Sequence, residues 1–231
     1  MLAFAPAEVP FEKLNLLGIA VRGIRYPSTP YQSHMGILYR EKDESPVTLL
    51  HFEAHEVLKN EPPSEKFLWL QCAIDDINKK VVASCCAQIY KRAQLNKIPY
   101  GISYDGSYFD KAAEYTRYRP EDGLTCATFV MAVFRWLGFE VVQVKTWPAR
   151  PEDQGWQDYM IDKVMKAKWK QSSARIKAQK KMIGLASRFR PEEVAAATSL
   201  FTVSPLAFEV VKPHADELES QAAIHSSKFH G

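Results

Sequence analysis

Short apolar runs, separated by polar or charged segments, dominate the first third of the chain. Residues 14–24 are rich in branched side chains and predict a strand, which a loop beginning at Tyr26 follows. The apolar runs 34–39 and 47–52 are separated by a charged segment, which indicates an antiparallel hairpin or meander. Residues 67–72 predict one more strand of the same kind.

From residue 75 the pattern changes to the spacing of helices. Apolar residues four apart would share one face of a helix over residues 75–95. These residues are Ile77, Val81, Cys85, Ile89 and Ala93. Residues 124–137 predict a second helix, residues 139–144 alternate like a strand, and residues 157–189 predict one long helix.

The order of these elements indicates an α+β fold, because runs of strands are separated along the chain from runs of helices. Pro148 and Pro151 mark a boundary. We therefore expect a folded unit over residues 1–150, a basic amphipathic helical extension over residues 151–204, and a polar tail without regular structure over residues 205–231.

The composition is that of a globular protein, with 46% apolar and 25% charged residues in a chain of 231. No apolar run approaches the roughly 20 residues of a membrane span. The N-terminus lacks a secretory pattern, and the four cysteines form neither a disulfide framework nor a Cys-x-x-Cys zinc pair. We expect a cytoplasmic protein without a transmembrane segment, a metal or another cofactor.

Charge is distributed unevenly along the chain. The net charge is +3, but residues 159–190 contain ten basic residues and one acidic residue, which leaves −6 for the remainder. Apolar residues in the same segment form a stripe at helical spacing. They are Ile161, Met165, Trp169, Ile176 and Ile183. The segment is either a helix docked on the core with a solvated lysine face, or a surface for an anionic partner such as a membrane, an acidic protein or nucleic acid.

Cys126 is a candidate nucleophile because it lies at the start of the second predicted helix. Asp122 and Thr125 are both plausible N-caps for that helix. The positive end of a helix dipole favours a thiolate and lowers the thiol pKa, and the free N–H groups there can receive an oxyanion. The alternative interpretation is that Cys126 is a small buried apolar residue.

Two histidines on neighbouring predicted strands are candidate partners of this cysteine. His34 opens one strand and His51 lies near the end of the next, so the first could act as base and the second could orient it. Each alone is more typical of a surface or core residue. The three histidines of the polar tail are expected to be solvated; they are His214, His225 and His230.

The residues around these candidates resemble a known superfamily of cysteine hydrolases. His34-Met-Gly-Ile-Leu-Tyr resembles the histidine strand of NlpC-type peptidases and lecithin:retinol acyltransferase-like enzymes, and Leu50-His51-Phe52 resembles the strand that follows it. Their nucleophile helix is similar to the segment Leu124-Thr-Cys126-Ala-Thr-Phe-Val. A segment that precedes that helix in the peptidases is similar to Pro99-Tyr100-Gly101. The histidines precede the cysteine, as in the circularly permuted branch. The similarity covers roughly residues 14–145, with Thr125 and Ala127-Thr128 departing from the usual pattern.

The resemblance implies a permuted papain-like core in which the nucleophile helix packs against an antiparallel sheet. It implies a thiol hydrolase, such as an amidase, peptidase or thioesterase, or an acyltransferase, acting on a peptide, isopeptide or lipid ester through an acyl-enzyme. The catalytic residues would be Cys126, His34 and His51, with Glu53 in reserve for the third position. Candidate substrate-binding residues are Tyr100, Tyr104 and Thr125. The alternative function is a non-catalytic papain-like adaptor that binds an anionic partner through residues 163–190.

Overall fold

The computed structural model describes residues 3–24, 32–42, 44–95 and 97–229, and over these residues the fold is α+β. The loop predicted from Tyr26 onward and His230 lie outside the described residues. One antiparallel sheet and a set of helices account for most of the regular structure.

The sheet has five strands in the order β4-β3-β2-β1-β5, and every neighbouring pair is antiparallel. The strands are β1 (Leu17–Ile24), β2 (Gln32–Tyr39), β3 (Thr48–Ala54), β4 (Val57–Glu61) and β5 (Leu68–Gln71). The four strands predicted from apolar runs are confirmed. Strand β4 was missed because its sequence is mostly polar, as suits an edge strand with one buried residue, Leu58.

The helices follow the sheet along the chain. They are α1 (Asp76–Ala93), α2 (Cys126–Trp136), α3 (Gln154–Tyr159), which continues as a π-helix (Met160–Lys168), α4 (Ser173–Lys180), α5 (Pro191–Leu200) and α6 (Phe208–Ser227). None of the helices in the described part of the chain combines the length and the apolarity needed to cross a bilayer.

The two faces of the sheet bury different sets of side chains, because neighbouring residues of a strand point to opposite sides. Ile19 and Ile37 point toward the main core, which the helices complete. Ala20 and Leu38 point to the other face, where a smaller cluster forms around Trp69 and the N-terminal segment. Both faces are therefore covered.

The buried face of α1 differs from the predicted one. Ile77 and Val81 are 77% and 43% exposed, whereas Ile89 and Ala93 are buried as predicted. In the first half of the helix, Val82 and Cys86 are buried in place of Val81 and Cys85, because packing against the sheet selects the apolar positions one residue further along.

Residues 139–144 do not form the predicted strand. Val142 makes one isolated parallel bridge with Leu206, and the segment ends in a short 3-10 turn (Val144–Thr146). Val141 and Val142 are consecutive and both buried, so the segment lacks the alternating burial of a strand, and its pairing in the described residues is confined to Leu206.

The single long helix predicted over residues 157–189 is also wrong. The segment is divided by a break after the π-helix, where Lys170 adopts a positive φ of 51°. This break turns Trp169 onto Tyr100, with ring centroids 4.9 Å apart, and buries Gln171. The packing of Trp169 on Tyr100 and the burial of Gln171 account for the interruption.

The predicted polar tail is largely helical. In α6, apolar residues spaced four and three apart are buried, and they pack with α5 and β1. These residues are Val211, Ala215, Leu218 and Ala222. His225 is also buried, contrary to expectation, and its Nε2 lies 2.8 Å from the Glu65 carbonyl oxygen. Residues from all three predicted segments thus contribute to one core.

Candidate active site

Helix α2 begins at Cys126 and is capped by Thr125. The Thr125 hydroxyl accepts a hydrogen bond from the Thr128 N–H at 3.1 Å, and the Thr128 hydroxyl accepts one from the Thr125 N–H at 2.7 Å. This reciprocal capping box fixes the first helical turn. Asp122, the other candidate cap, instead binds the side chains of Arg117 and Arg119.

A glycine lets the chain enter this helix close to the preceding loop. Gly123 has a φ of 152°, and a Cβ there would lie 2.4 Å from the Gly101 nitrogen. The close approach allows Tyr100 and Leu124 to pair as an isolated parallel bridge. Tyr100 is thereby held beside the start of α2.

The Cys126 thiol is half-buried between α2 and β2. The backbone N–H groups of Met35 and Ala127 hydrogen-bond to its sulfur and favour the thiolate, but burial outweighs them and raises the thiol pKa to about 11. The expected lowering of this pKa by the helix start is therefore wrong. Because Met35 follows His34 directly, the sulfur lies against the strand that carries the predicted base.

The ladder between β2 and β3 ends at Ile37 and Leu50, and the two predicted histidines lie just beyond this point. His34 Nε2 is 2.7 Å from His51 Nδ1. Gly36 permits the approach of β3, since a Cβ there would lie 2.6 Å from the His51 Cβ. The Phe67 ring covers both imidazoles at centroid distances of 6.3 and 6.4 Å. The structure thus brings the two histidines together in a buried pair.

A carboxylate of β4 extends this pair into a chain of contacts. His51 Nε2 is 3.2 Å from Glu61 Oε1, and an ionised carboxylate can only accept a hydrogen bond. In the tautomer that carries the His51 proton on Nε2, His51 donates to Glu61 and accepts at Nδ1 from His34 Nε2, which leaves His34 Nδ1 as an acceptor. This is the nitrogen that a catalytic base needs.

Glu53 lies at the junction of the two imidazoles. Its Oε2 is 3.2 Å from His51 Nδ1 and 3.6 Å from His34 Nε2, and its contact with His51 lowers the Glu53 pKa. Burial, together with His51, lowers the pKa of His34. His34 is therefore neutral at physiological pH, with a negative charge close to the position where its imidazolium would form.

Cys126 and His34 border one cavity of about 530 Å³. Thr125 and Tyr100, two of the predicted substrate-binding residues, also line it. The Thr125 hydroxyl is already committed to capping α2. Tyr104 does not line this cavity: its ring packs on Tyr108 and Phe189, at 5.5 and 5.6 Å.

The opposite wall of the cavity comes from the basic segment. Trp156, Met160 and Trp169 supply apolar surface, and Lys163 and Lys168 lie among the lining residues. The segment that was expected to be an extension is therefore part of the enclosure around Cys126.

The two histidines and Glu53 could also hold a metal ion. Their ligand atoms lie within 4.8 Å of one another, and zinc accepts two imidazoles and a carboxylate. The 2.7 Å separation of the two nitrogens is that of a hydrogen bond, however. Two nitrogens bound tetrahedrally to zinc at about 2.0–2.1 Å would lie roughly 3.3 Å apart. The pair as it stands fits a shared proton better than an ion.

Glu192 of α5 is a buried carboxyl group next to this site. It is 4% exposed, contacts the Ser33 hydroxyl, and burial raises its pKa to about 7. Its negative charge raises the pKa of the Cys126 thiol. The side chain therefore changes charge near neutral pH close to the candidate nucleophile.

Replacing Glu192 by glutamine is expected to remove a pH dependence of stability. The folded pKa lies above the ordinary value, so ionisation is easier in the unfolded chain. Wild type therefore loses stability as pH rises from about 4.5 to about 7, by on the order of 3 kcal/mol. Glutamine resembles the neutral acid and does not ionise. In urea unfolding, the free energy of unfolding of the variant relative to wild type should therefore rise by that amount between pH 4.5 and 7.

The exposed Glu209 of α6 provides the matched control, since Glu209→Gln removes the same charge outside the core. A difference between Glu192→Gln and wild type that stays constant from pH 4.5 to 7.5 would contradict the prediction.

Several residues of the site were not identified from the sequence. Glu61 lies in the unrecognised strand β4, and Glu192 follows Pro191 in a helix without clear periodicity. Arg22 is directly opposite His34 in the register of β1 and β2, and it lines the cavity. Arg22 could have been identified from the sequence by estimating the register of β1 against β2, which pairs it with His34.

Comparisons of the chain with models of protein families, with curated proteins and with solved structures gave no match in any of the three.

Proposed function

We propose that this chain is a cysteine-dependent hydrolase or acyltransferase in which Cys126 is the nucleophile and His34 is its base. One observation carries the proposal: the thiol at the capped start of α2 borders the same cavity as His34, whose ring contacts His51 and, through it, Glu61. A thiol and a base at one cavity, with an orienting group behind the base, are the components of nucleophilic catalysis.

The raised thiol pKa and the lowered imidazole pKa determine how the reaction would begin. Both groups are neutral at physiological pH. Attack is therefore coupled to proton transfer, in which His34 Nδ1 takes the proton as Cys126 Sγ bonds to the acyl carbon. His51 orients the ring, and Glu53 stabilises the imidazolium.

The later steps follow from the same geometry. The oxyanion is received by the N–H of Cys126 at the start of α2 and by one further donor. His34 returns its proton to the leaving group, and the acyl group remains on Cys126 as a thioester. Water or an acceptor amine or alcohol then releases it.

The finer description of the fold belongs to the same proposal. A helix bearing the cysteine, packed on an antiparallel sheet bearing histidines that come earlier in the chain, is consistent with a permuted papain-like core. Amides, isopeptides, thioesters and lipid esters remain the proposed substrate classes.

Acylation by p-nitrophenyl acetate tests the proposal. Wild type is expected to release a burst of one equivalent of nitrophenolate and to carry one acetyl group on Cys126 in peptide mass spectrometry. His34→Gln should lower the acylation rate by about 100-fold or more, because the general base is lost. His214→Gln on α6 should leave the rate unchanged.

Two further measurements separate this reaction from metal-dependent chemistry and from the adaptor function. A metal-chelating agent should not affect acylation if the histidines act through protons. Labelling with N-propylmaleimide should be faster at Cys126 than at the half-buried Cys85, and His34→Gln should remove the difference. Equal labelling, no acylation, and retention on anionic vesicles that depends on the lysines of residues 163–181 would instead favour the adaptor function.

A further inference from the structure

Arg22 lies beside the candidate base without an anionic partner. It faces His34 across β1 and β2, so both side chains project from the same face of the sheet. Its guanidinium lies over the Phe67 ring at 4.9 Å. Among the described residues no carboxylate forms an ion pair with Arg22, and its buried Nε has no hydrogen-bond partner.

A second buried donor lies next to Arg22. Gln32 pairs with Ile24 in the same ladder, which makes it a diagonal neighbour of Arg22 on that face. Its Nε2 is buried and has no acceptor within the described part of the chain. Buried donors are nearly always paired in folded proteins, so two unpaired donors side by side indicate that a ligand supplies the acceptors.

Both donors border the cavity that contains Cys126. Among the described lining residues four are lysine or arginine, and Glu53 is the acidic one. The cations are Arg22, Lys163, Lys168 and Arg188. Arg188 is held by Asp153 at 3.1 Å, and Glu53 is held by the histidines. The remaining charge in the cavity is therefore positive and available to a ligand.

We infer that the acyl substrate carries a carboxylate, which Arg22 and Gln32 bind while the acyl carbon faces Cys126. This inference rests on the proposal that Cys126 is the nucleophile. The guanidinium and the amide can each donate an N–H to one of the two carboxylate oxygens, and the exposed Lys163 and Lys168 attract the anion to the cavity.

A pair of thiol reagents that differ in one charged group tests the inference. 3-Maleimidopropionate carries a carboxylate, whereas N-propylmaleimide is neutral and of similar size. The measured quantity is the ratio of their labelling rates at Cys126, with Cys85 as internal reference. We expect the ratio to be higher at Cys126 than at Cys85, and Arg22→Gln to lower it about tenfold. Gln32→Leu should lower it less, about threefold.

Lys166→Gln is the matched control, because Lys166 is exposed on the same π-helix but does not line the cavity. It should leave the ratio unchanged, and the Arg22 effect should persist in about 0.5 M salt, where surface attraction is screened. Equal ratios at Cys126 and Cys85, no effect of Arg22→Gln, or an equal effect of Lys166→Gln would each overturn the inference.

Ligand binding without any reaction gives a second measurement. Glutarate should raise the Tm of Cys126→Ser, and Arg22→Gln in that background should abolish the rise. If inorganic phosphate at the same concentration raised the Tm more than glutarate, the carboxylate assignment would be overturned. Neither the ratio nor the Tm depends on turnover, so a failure of the proposed reaction remains distinguishable from a failure of this inference.

Discussion

Replacing Cys126 by alanine is expected to abolish acyl-enzyme formation, with a loss on the order of 10³-fold or more in the rate of the nitrophenolate burst. The sulfur is the atom that would bond to the acyl carbon, and no other cysteine among the described residues lines the cavity. The fold should tolerate the change, because the side chain is small and half-buried.

The measurement combines the burst with the intact mass of the protein. Cys85→Ala is the matched control, since it removes a half-buried thiol on α1. Acetylation of Cys126→Ala at the wild-type rate would place the nucleophile elsewhere and would remove the basis of the proposed function.

Replacing Asp153 by alanine is expected to lower the free energy of unfolding by about 3–5 kcal/mol. Asp153 is 1% exposed and is surrounded by three guanidinium groups. Its partners are Arg150 at 2.7 Å, Arg188 at 3.1 Å and Arg190 at 3.0 Å. Removing the carboxylate leaves several largely buried guanidinium groups with less negative charge to compensate them. Uncompensated buried charge strongly destabilises the folded state.

Urea unfolding measures this loss, and its pH dependence gives a further check. The three arginines keep the Asp153 pKa below its ordinary value despite burial. The stabilisation is therefore present above about pH 4 and is lost as pH falls through the folded pKa, so wild type and variant should converge in acid.

Asp162→Ala is the control for this prediction, because Asp162 pairs with Lys180 at the exposed surface. Surface pairs contribute little, so this variant should unfold close to wild type. An Asp153→Ala protein as stable as Asp162→Ala would show that the cluster around Asp153 does not hold the C-terminal part of the chain in place.

The sequence predicted the part of the fold whose pattern is local. Apolar runs predicted four strands, two of which carry the histidines, and the pattern over residues 124–137 predicted α2, which begins two residues later at Cys126. These features depend on neighbours within a few residues. The α+β class follows from their order alone.

The remaining elements depend on contacts between distant parts of the chain. Strand β4 is polar because it lies at the edge of the sheet. The break at Lys170 has no glycine or proline to mark it, since it accompanies the packing of Trp169 on Tyr100 and the burial of Gln171. Helix α6 has a narrow apolar stripe among charged residues, so it resembles a solvated tail until α5 and β1 are present.

The candidate site was likewise predicted only where the evidence for it is local in sequence. Cys126 and the two histidines were predicted because each lies at the start or near the end of an element that the local pattern predicts. Arg22 and Glu61 were missed because a charged residue in a strand has meaning only once the strand opposite is known. The cavity wall was missed because it comes from a segment more than 25 residues later in the chain.

This order along the chain has a consequence for biosynthesis. The ribosome makes the chain from its N-terminus, so Cys126 and both histidines are synthesised before Trp156, Trp169 and Phe189. A nascent chain of about 150 residues would contain these three side chains but not the aromatic residues that enclose the cavity. The cavity is completed only when the later residues have been translated and have docked.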